Sequence, residues 1–279
     1  MTADIMTLRE AADRLGVHYM TAYRYVRTGR LPATRDGAEW RVRVSDVERL
    51  LTRQVRSPRP AGRRHHARSD LERCLVAGDE AGAWAVVEGS LAAGASPAEV
   101  HLALLVPSLA SIGTRWERGR LTVGDEHRAT AVAQRLVGRL GPRFARRGRK
   151  RGTVVMGAVA GETHAMPGAI LADLLRGRGF EVIDLGADTP AQSFVEAARS
   201  ANRLVTVLVG AITSGQERVI KRTVAALHKA EFGVPVLVGG PGITDEAQAR
   251  AVGADGWTGH DGEHACAAVE LVAARTPAA

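Results

Sequence analysis

Cysteine is nearly absent from this 279-residue sequence: Cys74 and Cys266 stand far apart, with no Cys-x-x-Cys spacing. That argues against a disulfide framework and against a structural zinc site, and both thiols read as small buried hydrophobes. No apolar run approaches the ~20 residues of a membrane span, and the N-terminus lacks the apolar stretch of a signal peptide, so a soluble, cytoplasmic chain with no membrane contact is expected. No nucleophile with a matched base can be found, and catalysis is not expected. Acidic charge is short in the N-terminal quarter of the chain. Residues 1–69 carry 15 Lys/Arg against 7 Asp/Glu, which accounts for the whole formal charge of +8, whereas residues 70–279 carry 23 of each. A basic piece on a neutral body points to a polyanion partner, with double-stranded DNA the first candidate.

The length allows two or three domains. Two stretches break the pattern: Ser57 to Arg68, with prolines, glycine and arginines but no hydrophobic periodicity, and Arg143 to Arg151, with six basic residues around Gly148. The first has the composition of an exposed linker. The chain therefore divides into residues 1–56, a linker 57–68, a piece 69–142 and a piece 152–279. In the first, helices are expected from Thr7 to Leu15, stopped by Gly16, and from His18 to Arg27, stopped by Gly29. A hairpin follows over Thr34 to Val44 around Asp36-Gly37, then a helix from Ser45, as N-cap, to about Arg53. In the middle piece, breaks at Gly78-Asp79 and Gly94-Ala95, and the Ser96-Pro97-Ala98-Glu99 capping box, predict a four-helix bundle. The last piece alternates short apolar strands (154–158, 182–185, 204–209, 236–238) with helices beginning near Pro167, Pro190, Gln216 and Thr244. This predicts a doubly wound, flavodoxin-like (Rossmann-type) α/β domain, in which ligands sit beyond the carboxyl ends of the strands.

The first piece, an all-α winged helix-turn-helix in its main elements, would place its second helix in the major groove. With Ala22 and Val26 packed inward, the outward set is Tyr19, Met20, Tyr23, Arg24 and Arg27; arginine can read guanine and tyrosine can contact phosphate. Arg35, Arg41 and Arg43 on the wing would meet backbone or minor groove. The residues Thr7-Leu8-Arg9-Glu10-Ala11-Ala12, Leu15-Gly16-Val17, Thr21-Ala22-Tyr23, Gly29-Arg30-Leu31-Pro32 and Trp40-Arg41-Val42 resemble the excisionase and MerR type of winged helix-turn-helix.

In the third piece, Glu162-Thr163-His164-Ala165-Met166-Pro167-Gly168 places a histidine in the loop after the first strand. A carboxylate two residues before it can hydrogen-bond the far imidazole nitrogen and fix the tautomer, as carboxylates behind metal-bound histidines do, and Gly168 permits close approach of a bulky ligand. A lone loop histidine is more often merely solvated. The pattern nonetheless resembles cobalamin-binding modules, whose signature is Asp or Glu, any residue, His, two residues, Gly. That resemblance implies a vitamin B12 cofactor with His164 as lower cobalt ligand and its nucleotide tail held in the sheet domain. Gly239-Gly240 matches a glycine pair that lines the tail in that family. The family's Ser-x-Leu position is here Gly210-Ala211-Ile212, so its serine hydrogen bond is either missing or supplied by Ser214.

Trp116, followed after nine residues by Glu126-His127, is similar to the helical cap of CarH/LitR-type light-sensing regulators. The likeness implies that Trp116 and Val123 pack on a 5′-deoxyadenosyl group, that Glu126 hydrogen-bonds it and that His127 lies beside it. It further implies adenosylcobalamin as chromophore, a repressor on a DNA operator, and a homo-oligomer, dimer or tetramer, that light takes apart. One departure stands out: Glu117 occupies the place of the family histidine that becomes the upper cobalt ligand after photolysis, a role left to His127 or water. The alternatives are a light-independent cobalamin or ligand sensor and a corrinoid methyl-carrier protein.

Overall fold

Thr7 starts the first helix by a reciprocal cap: its hydroxyl accepts from Glu10 N at 3.2 Å, and the Glu10 carboxylate accepts from Thr7 N at 2.7 Å. Such caps contribute about 1 kcal/mol and set where the chain turns into the helix. The computed structural model describes residues 5–15, 19–27, 31–37, 39–49 and 61–275, divided into two units, Met1–His66 and Ala67–Ala279.

In the first unit, β1 (Ile5–Thr7) leads into α1 (Leu8–Arg14) and α2 (Tyr19–Arg27), followed by β2 (Ala33–Asp36), β3 (Glu39–Arg43) and a helix α3 over residues 44–49. Leu8, Ala11, Ala12, Leu15, Ala22, Leu31, Val42 and Val47 form its core. The expected hairpin is present, with Asp36 opposite Glu39 and Gly37 at a left-handed φ of +59°. The unit is not all-α, however: Ile5–Thr7 pairs with β3 to complete a three-stranded antiparallel sheet. Three residues are too few for alternation to reveal that strand. Residue 44 is already helical, so Ser45 lies inside α3 rather than capping it. Gly16, His18, Gly29 and the expected run of the helix to Arg53 lie outside the described residues.

Helix α4 (Ala61–Ala77) begins inside the stretch expected to be a linker and carries the chain across the division between the units at residues 66–67. Alanine and arginine are good helix formers, and Arg68 pairs with Glu72 one turn on at 2.9 Å, so helix forms there without an apolar stripe. Next come α5 (Glu80–Ala92), α6 (Pro97–Val100), a π-turn over His101–Leu105, α7 (Val106–Glu117) and α8 (Val123–Leu140). The Ser96 capping box forms as expected, and Thr122 with Asp125 makes another at the start of α8.

The α/β part comprises β4 (Thr153–Ala158), α9 (Met166–Gly177), β5 (Glu181–Asp184), α10 (Ala191–Ser200), β6 (Leu204–Gly210), α11 (Glu217–Lys229), β7 (Val236–Gly239), α12 (Glu246–Ala251), β8 (Gly256–Trp257) and α13 (Gly262–Arg275). The parallel sheet runs β5-β4-β6-β7-β8, the flavodoxin-type order, whose switch point lies between β4 and β6. The two-residue strand β8 and helix α13 go beyond the expected elements.

Bundle and sheet share one apolar core. Leu105, Leu136, Leu140 and Phe144 pack with Val154, Ile170, Leu174 and Val269. Within this seam, buried His101 Nε2 lies 3.1 Å from Asp173 Oδ2, and its ring stacks on Phe144 with centroids 5.0 Å apart. Leu140 is fully buried there. Leu140→Ala is expected to cost about 2–5 kcal/mol, through lost transfer energy plus the cavity left behind. Urea unfolding followed by circular dichroism measures it, and a loss under about 1 kcal/mol would contradict a shared core.

Candidate functional site

The loop after β4 is built around one carboxylate. Glu162 is fully buried. Its Oε1 accepts from His164 N at 3.0 Å and faces His164 Nδ1 at 2.5 Å, while its Oε2 accepts from Ile212 N at 2.8 Å and Thr213 N at 2.7 Å. Burial alone would raise its pKa. The hydrogen bonds from Thr213 N, the His164 ring, His164 N and Ile212 N outweigh that and hold it at about 2. An ionised carboxylate only accepts, so Nδ1 must carry the hydrogen of this pair; in the neutral ring Nε2 then keeps its lone pair. The His164 side chain is 57% exposed, so that nitrogen is available to a ligand outside the loop. Of the described residues, this donor set suits a metal-centred group that needs one neutral imidazole.

The partners of Glu162 are not among the expected site residues. Ile212 and Thr213 follow β6, so the carboxylate ties together the two loops that flank the sheet's switch point. Asp188 N donates to Glu162 O at 2.8 Å, and Asp188 Oδ1 accepts from Gly161 N at 2.7 Å, which ties in the loop after β5. Backbone donors fifty residues away leave no signal in a sequence.

Gly210, Ser214, Gly239 and Gly240 gather at the same carboxyl rim. Gly210 is in register with Gly239, and Ala211 N donates to Gly239 O at 3.0 Å. The glycine pair first serves the protein's own packing: a Cβ on Gly239 would fall 1.7 Å from Thr258 Oγ1, and one on Gly240, at φ +96°, 2.3 Å from Ala211 O. Gly168, by contrast, has no neighbour nearer than Met156 Cε at 3.9 Å and leaves open space on the first turn of α9. Ser214 is exposed and its hydroxyl has no hydrogen-bond partner among the described residues.

Trp116, Val123, Glu126 and His127 flank the turn from α7 to α8. Trp116 is 43% and Val123 52% exposed, an unusual placement for two large apolar side chains. Glu126 Oε1 accepts from Thr130 Oγ1 at 2.7 Å, and exposed His127 lies 3.8 Å from Glu126 Oε2. Glu117 is exposed. Among the described residues no hydrogen bond or ion pair joins this group to the His164 loop.

In the first unit, Ala22 is buried and Val26 packs on the core. Tyr19 is exposed, with the Arg9 guanidinium 5.8 Å from its ring centre. Tyr23 departs from the outward set, being half-buried against Trp40 because the hairpin folds over that face of α2. Arg41 is drawn towards Asp36 and Glu39, at 3.6 and 3.5 Å, which reduces its freedom to contact phosphate. Arg35 and Arg43 are exposed, Arg35 lying 6.0 Å from the Trp40 ring centre. The side chains of Met20, Arg24 and Arg27 lie outside the described set.

Models of B12-binding domains match residues 67–140 and 152–270, and a helix-turn-helix domain model matches residues 5–55. The dimethylamine corrinoid protein of Methanosarcina barkeri is 33% identical over 186 residues, 63% of this chain and 84% of that protein. The chain belongs to the B12-binding corrinoid proteins. A corrinoid protein of Desulfitobacterium hafniense strain Y51 is 30% identical to this cobalamin-binding protein over 175 residues, 60% of this chain and 77% of the relative. The structure of the Methanosarcina barkeri monomethylamine corrinoid protein superposes with a TM-score of 0.64 at 19% identity, covering 74% of this chain and 99% of that one; this is a likeness of fold. Among the described residues of this cobalamin-binding protein, no helix is long and apolar enough to cross a membrane.

Because the folded pKa of Glu162 lies below its ordinary 4.5, its stabilisation is complete above pH 4.5 and is lost as pH falls towards 2. The full shift is equivalent to roughly 3 kcal/mol. Glu162→Gln is therefore expected to lower stability at pH 7 and to flatten its decline between pH 4.5 and 2. Urea melts of the cofactor-free protein across that range measure both effects, and an unchanged pH slope would show that the carboxylate does not hold the loops together.

Proposed function

We propose that this cobalamin-binding protein is a DNA-binding transcriptional regulator, a light-responsive repressor that uses adenosylcobalamin as chromophore. The observation that carries the reading is a helix-turn-helix match on residues 5–55 ahead of two B12-binding matches in one chain. The corrinoid relatives align over only about three-fifths of the chain. When bound, adenosylcobalamin would supply a cobalt that accepts an imidazole and a cobalt–carbon bond that light can break.

His164 offers Nε2 to cobalt, and Glu162 holds the ring in the tautomer that leaves that lone pair free. Gly210, Ser214, Gly239 and Gly240 line the nucleotide tail, Ser214 through its free hydroxyl. Trp116 and Val123 would cover the adenosyl group with the apolar surface they expose, Glu126 would hydrogen-bond it, and His127 would lie alongside. Burial of ~25 cal/mol per Å² on those two side chains is the bias that the bound group exerts on the bundle. In the first unit, α2 is the helix that would enter the major groove, with Tyr19, Arg24 and Arg27 as its DNA-contacting residues by the sequence pattern, Arg35 and Arg43 on the wing, and Tyr23 and Arg41 in supporting positions. Several such modules in one homo-oligomer, dimer or tetramer, occupy an operator at high effective concentration, and dissociation forfeits that gain. Glu117 stands where the light-sensing family has a histidine, so any imidazole for the cobalt on this side would have to come from His127.

A second reading, a corrinoid methyl-carrier protein, is favoured by the names of the relatives, which are dimethylamine and trimethylamine corrinoid proteins. In it the N-terminal unit has no evident use.

The test is the absorption spectrum of the protein mixed with adenosylcobalamin, before and after green light, with particle size and operator affinity measured alongside. A light-induced spectral change with loss of assembly and of DNA binding is expected in the wild type, and loss of the spectrum of histidine-bound cobalamin in His164→Ala. Equal DNA affinity in dark and light would leave a light-independent sensor. An unaltered spectrum in His164→Ala would remove the cobalt ligand. Glu117→His should alter only the illuminated spectrum, and no alteration would place residue 117 away from cobalt.

A further inference from the structure

We infer that the loop between the bundle and the sheet, residues 143–150, is a second DNA-backbone contact, separate from the helix-turn-helix. The evenly balanced charge of residues 70–279 conceals a strong separation. Residues 139–151 contain seven Lys/Arg and no Asp/Glu, while the rest of that stretch has 16 against 23. Arg139 is engaged over the Trp84 ring at 3.8 Å, and Arg151 pairs with Glu270 at 2.6 Å. That leaves Arg143, Arg146, Arg147, Arg149 and Lys150. The four arginines are exposed, and no described carboxylate pairs with any of the five.

The loop is held by its backbone, which leaves its charges outward. At one end, Phe144 is buried on the His101 ring. At the other, Lys150 O accepts from Arg203 Nη1 at 3.0 Å and Arg151 N donates to Gly179 O at 3.0 Å. Gly152, at φ +138°, lies so near Val205 and Arg203 that a Cβ would fall 2.3 Å from Val205 Cγ2. Lys150 Nζ turns back onto Arg146 O at 2.6 Å, further constraining the loop. Five like charges on an anchored loop repel one another, and the Lys150 contact with Arg146 O neutralises none of them, whereas a line of phosphates would neutralise them and release counterions.

The position fits such a role. The loop enters β4 from its amino end, and His164 follows the carboxyl end, so the six residues of Thr153–Ala158 place it about 20 Å along the strand from the cofactor loop. DNA held here would leave the cobalamin rim open. Among polyanions, duplex DNA is the one for which the same chain carries an independent reader in residues 5–55. The inference therefore rests on the DNA-binding reading, but it concerns different residues.

The test uses the full-length chain and a mixed-sequence ~30-bp duplex, with affinity measured between about 50 and 200 mM salt. Each phosphate that is no longer neutralised makes the slope of log K against log salt less negative by about 0.9. Arg146→Gln/Arg147→Gln/Arg149→Gln should make it less negative by about 2–3 and weaken binding at least tenfold at about 50 mM salt. Its cobalamin spectrum should not change, which checks the fold. Arg24→Ala serves as the helix-turn-helix arm. If wild type binds and Arg24→Ala weakens it while the loop variant keeps the wild-type slope, the loop's role in DNA binding is refuted and the helix-turn-helix reading stands. Absence of wild-type binding at the lowest salt refutes both. A loss by the loop variant confined to anionic lipid vesicles, with duplex binding intact, assigns the loop to a membrane surface and overturns the proposal.

Discussion

The rim of the α/β domain depends on a single buried negative charge. Glu162 has no access to water, and a carboxylate in such a place is costly unless every lone pair is used. Here one oxygen faces the His164 ring and backbone, and the other receives two consecutive N–H groups after β6. The cost of burial is thereby converted into order. The β4 and β6 loops cannot separate without stranding the charge, and the histidine cannot rotate without breaking its short bond to the acid.

The same economy shapes the rest of the unit. The bundle does not sit on the sheet as an independent domain, because one apolar core runs through both, with the His101–Asp173 pair enclosed in it. The helix turn that carries Trp116 and Val123 is therefore attached to the framework that positions His164, although among the described residues no polar contact links the two groups. A cofactor enclosed between such parts would meet two surfaces already braced against each other, which reduces the ordering cost of binding.

Much of this is legible in the residues. Alternating apolar strands and capped helices give the order of elements, since burial against a sheet or bundle imposes its period on the sequence. His164 and Glu162 stand out because their spacing is local: two residues apart, they meet whatever the rest of the chain does. What the sequence hides is non-local or too short to carry a period. Ile212 and Thr213 contribute only backbone N–H groups, which every non-proline residue has; Asp188 reaches Glu162 from the next loop; β1 and β8 have three and two residues. The start of α4 is obscured because its first turns are rich in arginine and histidine, and periodicity reveals only helices that bury a stripe. Helix phase alone places Tyr23 outward, since phase carries no information about the hairpin that covers it.

The contact between Gly240 and Ala211 limits how this rim can change. Where two main chains touch with no side chain between them, as they do again between Gly242 and Thr213 O, substitution offers no intermediate spacing. A larger residue would force the end of β7 away from the end of β6, beside the Ile212–Thr213 segment that donates to Glu162. Diversity in what the rim accommodates must therefore arise from the outer parts of the loops, by lengthening or by exchange at positions such as Ser214, while the distance between the β6 and β7 ends stays constant.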